Sequence, residues 1–308
     1  MKVIKSAYQQ PMEPWPALKQ FAKTTHIEET DIDLFYYETN HEKKPALLMI
    51  HGLGDEADTW RYVIDALARD YHLIAPDLPG FGRSDKPDVD YTPDFMISTL
   101  IGLLDKIGVD QTILIGSSLG AMLSHAIALE HPGRVQGLVL IGGALLQTDK
   151  ATDRGLRLMQ IPFLGERFYT RLRKNPDAAF DSMRNVYHDL DKMPKPDREF
   201  LYHRVNQRVW SDGQRRAYFS TLRSLIPWLK TQQSTTLEQF SAVRTPCLII
   251  RGEFDPLFSQ ENGKALAEIQ KNTSMTTIDN AGHLPHQENP QAVMKIIQTW
   301  LSKYFQLA

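Results

Sequence analysis

The chain contains a single cysteine, Cys247, so no disulfide can form within it. That thiol lies in the apolar run PCLII, the setting of a packed structural residue rather than a reactive one. Long hydrophobic runs are also missing: no stretch approaches the about 18 apolar residues of a membrane span. The N-terminal MKVIKSAYQQPMEPW has no apolar segment after its lysines. No secretory signal is expected, and a cytoplasmic location is. Neither sign of charge dominates. A formal net charge of −2 and a pI of about 6.6 offer no basic face for nucleic acid or an anionic membrane. Internal repeats and low-complexity tracts are lacking too.

What is present is enough apolar sequence, 42% of 308 residues, to bury a core of normal size. The apolar runs predict strands at Asp33–Glu38, Ala46–Gly52, Tyr71–Asp77, Gln111–Ser117, Val135–Gly142, Pro246–Gly252 and Ser274–Asn280. Most read as continuous apolar segments (ALLMI, ILIG, LVLIG, CLII), the pattern of strands covered on both faces in a parallel sheet. Amphipathic spacing predicts helices between them at Thr59–Asp70, Pro93–Gly108, Leu119–Glu130, Ser259–Asn272 and Pro290–Tyr304. In the last, Val293, Ile296, Ile297, Trp300, Leu301 and Tyr304 recur at three- and four-residue spacing behind a proline suited to a first turn. Alternating strands and helices predict a doubly wound α/β sheet, with the first two strands as an antiparallel edge.

The alternation stops between about Leu146 and Gln239. This stretch is rich in helix formers, arginines (Arg154, Arg157, Arg167, Arg171, Arg173, Arg184) and aromatics (Phe163, Phe168, Tyr169, Tyr187, Trp210, Tyr218, Phe219, Trp228). It is too long for a simple loop. The expected organisation is a core from residues 1–145 and 240–308, and a helical cap from 146–239. The alternative is that these helices only cover one face of the core.

Chemistry concentrates in a few segments. Gly116-Ser117-Ser118-Leu119-Gly120 fills the pattern G-x-S-x-G between an apolar strand and a helical pattern. That is the context of a sharp turn that lifts a central serine, Ser118, above the sheet at a helix N-terminus. The bland reading is a Ser/Gly turn that caps the helix. A serine hydroxyl needs a base, and the base needs a third group to orient it. In the order Ser…Asp…His, the strand PCLIIRG leads to Asp255 and the strand SMTTIDN leads to His283. Glu253 rivals Asp255, and His286 rivals His283. His125, His131 and His203 read as packing or surface groups, and Asp77 precedes the serine and breaks the order. Backbone donors for an oxyanion are assigned to Leu119 and to Leu53, in the loop His51-Gly52-Leu53-Gly54. His51 reads as the group that orients this loop. Gly52 permits close backbone approach there.

The segments HGLGD (51–55), DLPGFGRSDKP (77–87), GSSLG (116–120), GEFDP (252–256) and AGHLPHQENP (281–290) resemble, in content and order, the α/β-hydrolase superfamily. The resemblance covers the chain apart from its N-terminus and the insertion. It implies the α/β-hydrolase fold: a mostly parallel eight-stranded sheet flanked by helices, with a helical cap after the sixth strand. It also implies a triad of Ser118, Asp255 and His283 with an oxyanion hole at Leu53 and Leu119. Epoxide hydrolases and haloalkane dehalogenases of this superfamily carry aspartate at the elbow. Serine stands there in this chain, so those activities are not expected.

The expected function is hydrolysis of small to medium hydrophobic carboxylic esters, with no metal or organic cofactor. A carbon–carbon hydrolase of ring-fission products is the enzymatic alternative, and a cap arginine aimed at Ser118 would favour it. A slowly turning-over ligand-binding or signalling protein is the alternative from another class. The expected partner is the small-molecule substrate, with a monomer or homodimer as the assembly. The acid assignment has a direct check. Asp255→Asn is expected to leave the fold intact and lower kcat by about 10⁴-fold. A larger loss from Glu253→Gln in parallel assays would move the role to Glu253.

Overall fold

The computed structural model describes residues 7–39, 44–146 and 159–305, without the side chains of 233–237. Its centre is an eight-stranded sheet built from β1 (Ala22–Ile27), β2 (Ile32–Glu38), β3 (Ala46–Ile50), β4 (His72–Pro76), β5 (Thr112–Ser117), β6 (Val135–Ile141), β7 (Cys247–Gly252) and β8 (Thr273–Ile278). The spatial order is β1-β2-β4-β3-β5-β6-β7-β8. β1 and β2 are antiparallel to their neighbours, and the remaining pairings are parallel. The continuous apolar runs become these parallel strands because every residue of β3, β4, β5 and β7 is buried.

The antiparallel edge differs from the sequence-based expectation. It is formed by β1 and β2, whereas Ala46–Ile50 lies inside the sheet, parallel to both β4 and β5. β1 escapes a search for apolar runs because AKTTHI is largely exposed and polar, with only Ile27 fully buried. Its identity as a strand comes from pairing with β2, not from its own composition.

The helices of the core are α1 (Arg61–Leu67), α2 (Pro93–Lys106) and α3 (Leu119–Glu130), with further core helices after the insertion. The insertion carries α4 (Leu164–Leu172), α5 (Pro176–Asp181), α6 (Lys195–Trp210) and α7 (Asp212–Ala242). α8 spans Gln260–Ile269, α9 Pro285–Glu288 and α10 Pro290–Tyr304. The bounds of α3 and α10 coincide with those predicted. One face of the sheet (Leu48, Ile50, Leu114, Leu138, Ile249) packs on α2, α3 and α8. The other (Leu47, Met49, Ile113, Ile115, Val139, Ile250) packs on α1 and α10. The alternation follows from the two-residue period of a strand. Cys247 is buried within β7, and burial pushes its thiol up to about 12, as suits a packing residue. No helix among the described residues is long and apolar enough to cross a membrane.

The inserted helices have an apolar cluster of their own, including Phe180, Tyr187, Leu190, Leu201 and Val209, and Leu284 from the core joins it. Residues 147–158 of the expected cap, including Arg154 and Arg157, lie outside the described residues. The sheet's direction of growth reverses between β3 and β5. In open α/β sheets, ligands bind beyond the carboxyl ends of the strands at such a reversal.

The loop after β4 folds around Asp77, which is fully buried. Its carboxylate accepts from Ala57 N–H at 2.7 Å, Arg83 N–H at 2.7 Å and the Arg83 side chain at 2.7 and 2.9 Å. Burial alone would raise this carboxyl; Arg83 outweighs it and holds it at about 2. Asp77 is therefore a structural anchor. Removing Arg83 would strand a buried charge, so Arg83→Ala is expected to cost about 3–5 kcal/mol. A urea midpoint equal to that of the wild type would refute this.

Candidate active site

Ser118 follows β5 with φ 53° and ψ −114°, a left-handed backbone that is strained for any residue with a side chain and costs on the order of 1–3 kcal/mol. Its surroundings impose the turn. A Cβ on Gly120 would fall 2.0 Å from the Ile50 carbonyl oxygen, and one on Gly116 would fall 2.2 Å from that of Gly120. Only glycine lets the elbow sit this close to β3. Ser118 N–H donates to Ile141 O at 2.8 Å, which ties the elbow to β6. The serine does not act as a helix cap: its side chain makes no capping bond to α3.

Instead, Ser118 Oγ lies 2.8 Å from His283 Nε2, and His283 Nδ1 lies 2.9 Å from Asp255 Oδ1. Leu257 and Phe258 N–H groups also donate to Asp255 Oδ1, at 2.8 and 3.0 Å, and hold the carboxylate in the turn after β7. Asp255 and His283 are both buried. The rivals lie elsewhere. Glu253 is exposed, and its carboxylate accepts from Asn280 N–H. His286 meets Thr59 Oγ1 at 2.9 Å and stacks on Trp60. Ser117 Oγ is buried with no partner.

The loop after β3 meets the serine from the other side. A Cβ on Gly52 would stand 3.2 Å from Ser118 Cβ and 3.9 Å from its Oγ. Leu53 N–H, one residue on, and Leu119 N–H, at the start of α3, take no part in the backbone hydrogen bonds of the described turns. The first N–H groups of a helix have no intrahelical acceptor, so Leu119 offers a free donor. His51 is fully buried. Its Nε2 accepts from Leu78 N–H at 2.8 Å, which leaves Nδ1–H to donate to Gly52 O at 2.8 Å. The neutral ring thereby holds the loop, and burial keeps it neutral by lowering its pKa.

Sequence reading missed the groups that brace this loop. Asp55, Glu56 and Asp58 follow Gly54, and all three are buried. Arg208 Nε donates to Glu56 at 2.7 Å, and Arg208 also pairs with Asp55. Arg204 reaches Asp58 at 3.1 Å and Glu56 at 3.4 Å. Both arginines come from α6, one turn apart and hence on one helix face. Burial would raise the Glu56 carboxyl; Arg208 and Arg204 outweigh it and hold it below the usual carboxylate range. The only local signal was the acidic run DEAD directly after the loop, with two arginines four apart elsewhere. Four more arginines of the insertion pair with protein carboxylates: Arg173 with Asp212, Arg184 with Asp181 and Asp191, Arg216 with Asp88, and Arg223 with Glu166. Tyr218 lies over Gly54, with the Tyr169 ring 5.7 Å away. Among the described residues no group of three or more His, Cys, Asp or Glu is placed to hold a metal ion.

The profile described as alpha/beta hydrolase fold matches residues 45–290. The 2-hydroxy-6-oxo-6-(2'-aminophenyl)hexa-2,4-dienoic acid hydrolase of Metapseudomonas resinovorans is 26% identical over 270 residues, 85% of each chain. Epoxide hydrolase 3 of Xenopus tropicalis is 24% identical over 297 residues, 91% of this chain and 77% of its own. A meta-cleavage product hydrolase from Pseudomonas fluorescens superposes with a TM-score of 0.74 at 21% identity, covering 92% of this chain and 98% of that one.

The buried histidines make stability depend on pH. Burial lowers His125 to about 4 and His286 to about 3. An unfolded chain binds these protons at ordinary histidine pKa values, near ~6.5. Their contribution is therefore complete above that range and is lost as pH falls through it toward the folded values. The urea midpoint is expected to drop between pH 7.5 and pH 5, and His125→Gln should flatten the slope. A midpoint constant across that span would contradict the assignment.

Proposed function

Because this chain belongs to the alpha/beta hydrolase fold family, we propose that it is a serine hydrolase cleaving carboxylic esters through Ser118, His283 and Asp255. The observation that carries this reading is the unbroken line from Ser118 Oγ through His283 to Asp255, at 2.8 and 2.9 Å. His283 Nε2 accepts the Ser118 proton as Oγ attacks the ester carbonyl. Asp255 holds the ring by its Nδ1–H and stabilises the imidazolium that forms. The oxyanion of the tetrahedral intermediate lies against Leu53 and Leu119 N–H, each such donor being worth about 3 kcal/mol of barrier. His283 returns the proton to the leaving alcohol as the C–O bond breaks, leaving an acyl-serine. Water, deprotonated by His283, then attacks the acyl carbon. The acid departs, and the proton returns to Ser118.

The inserted helices act as a cap in this reading. Tyr169 and Tyr218 bring apolar ring surface over the loop beside Ser118, which suits hydrophobic esters of small to medium size. The epoxide hydrolase relative transfers less well, because the elbow here carries serine. The dienoic acid hydrolase relative supports a second reading, carbon–carbon bond hydrolysis. A substrate carboxylate in that reaction would need a cation near Ser118. Among the described residues, Arg204 and Arg208 instead neutralise Asp55, Glu56 and Asp58, which favours the neutral ester.

A series of p-nitrophenyl esters from acetate to palmitate, assayed with wild type and Ser118→Ala, tests the proposal. Rapid cleavage of short and medium esters is expected, with kcat lower by about 10⁶-fold in the variant. A folded wild type that leaves the esters intact but cleaves a vinylogous 1,5-diketone acid would establish the second reading.

A further inference from the structure

We propose that Glu288 is a positioning residue that holds His283 in place by binding the loop that carries it to the inserted segment 186–189. This inference rests on the assignment of His283 as the base. It concerns a residue that touches none of the reacting groups.

Glu288 ends α9, a single turn. An acidic side chain at a helix C-terminus gains nothing from that helix, so its partners lie outside. One carboxylate oxygen accepts from Gly282 N–H at 2.7 Å, immediately before His283. The other accepts from His188 N–H at 2.7 Å and Asp189 N–H at 3.3 Å. Two chain segments about a hundred residues apart in sequence thus share one carboxylate.

Other contacts converge on the same seam. His283 N–H donates to Val186 O at 2.7 Å, so the insertion binds the backbone of the histidine itself. Tyr187 Oη donates to Gln287 Oε1 at 2.9 Å. The His188 ring stacks on Phe254, next to Asp255, with centroids 4.0 Å apart and planes at 9°. Gly282 has no room for a side chain: a Cβ there would meet His188 N and Val186 O at 2.6 Å. The acid and the base are therefore both seated against one stretch of the insertion. The cap is anchored along this seam, and it cannot lift here without releasing His283. Burial pushes the Glu288 carboxyl up, against the pull of its three N–H donors, so the loss of any donor makes the charge harder to hold.

The test compares wild type, Glu288→Gln and Glu288→Ala on one ester, with kcat and KM read separately. The rate at which a small fluorophosphonate labels Ser118 is measured alongside. Labelling needs His283 to activate the serine but little of the substrate pocket. Circular dichroism reports the fold. Displacing the base should lower kcat and the labelling rate together, by up to about 100-fold in the alanine variant, with KM little moved. The glutamine keeps one acceptor oxygen and should fall between. If the alanine variant does not fold, the glutamine variant decides. Unchanged kcat in folded variants overturns the inference. So does a raised KM with kcat and labelling intact, because Glu288 would then only shape the pocket. A wild type that the phosphonate does not label sinks the triad reading and this inference with it; a labelled wild type with unaltered variants sinks the inference alone.

Discussion

Four carboxylates, Asp55, Glu56, Asp58 and Asp77, are buried at the carboxyl end of the sheet, and the rest of the site depends on how they are neutralised. A carboxylate taken out of water costs several kcal/mol unless it is paired and hydrogen-bonded. Guanidinium groups reach this cluster from two directions. Arg83, from the loop after β4, binds Asp77 and Asp58. Arg204 and Arg208, from α6 of the insertion, bind Asp55, Glu56 and Asp58. The insertion thus supplies charges that the core cannot do without. The two regions are separable in the sequence pattern but not in their electrostatics.

This arrangement matters because the acidic run begins directly after Leu53 and Gly54. Negative charge develops on the carbonyl oxygen in acyl transfer, and the proposed oxyanion position lies at the same loop. An unpaired carboxylate there would oppose the reaction, all the more strongly in a site of low dielectric constant. Paired with Arg208, the Asp55 and Glu56 carboxylates fasten the loop without imposing their charge on it. His51 adds a neutral tether from below through Leu78 N–H and Gly52 O. The loop is held by contacts complete before substrate arrives, which is the condition for donors to be preorganised.

Much of this was legible in the sequence, for identifiable reasons. The strands β3, β5, β6 and β7 are covered on both faces, so each shows as a continuous apolar run. α3 begins at the G-x-S-x-G turn and α10 at Pro290, and both signals mark a start. Ser118, Asp255 and His283 stand at strand ends within short motifs, and the structure brings the three side chains together. The unread parts lack local signals. β1 is polar and half exposed and exists through its partner strand. Arg204 and Arg208 sit among many arginines, and nothing in the one-dimensional pattern separates the buried pair from surface ones such as Arg184. Glu288 reads as an ordinary acidic residue in HQENP until its two chain partners are seen.

The proposed triad is easier to read from sequence than a substrate, for the same physical reason. Bond-making groups must lie within hydrogen-bond reach of one another, and short motifs at strand ends meet that demand. In the proposed function, selectivity falls to helices of the insertion, where Tyr169 and Tyr218 approach Gly54 only after α4 and α7 have packed. Charge narrows the choice further. An anionic substrate requires a cation left unneutralised near the serine, and Arg204 and Arg208, the buried arginines of α6, are engaged by protein carboxylates. Recruiting either for a substrate would strand Glu56 or Asp58 in a buried site. That substrate would have to supply interactions worth more than the pair it broke. A neutral ester asks nothing of these arginines and leaves the loop that they brace intact.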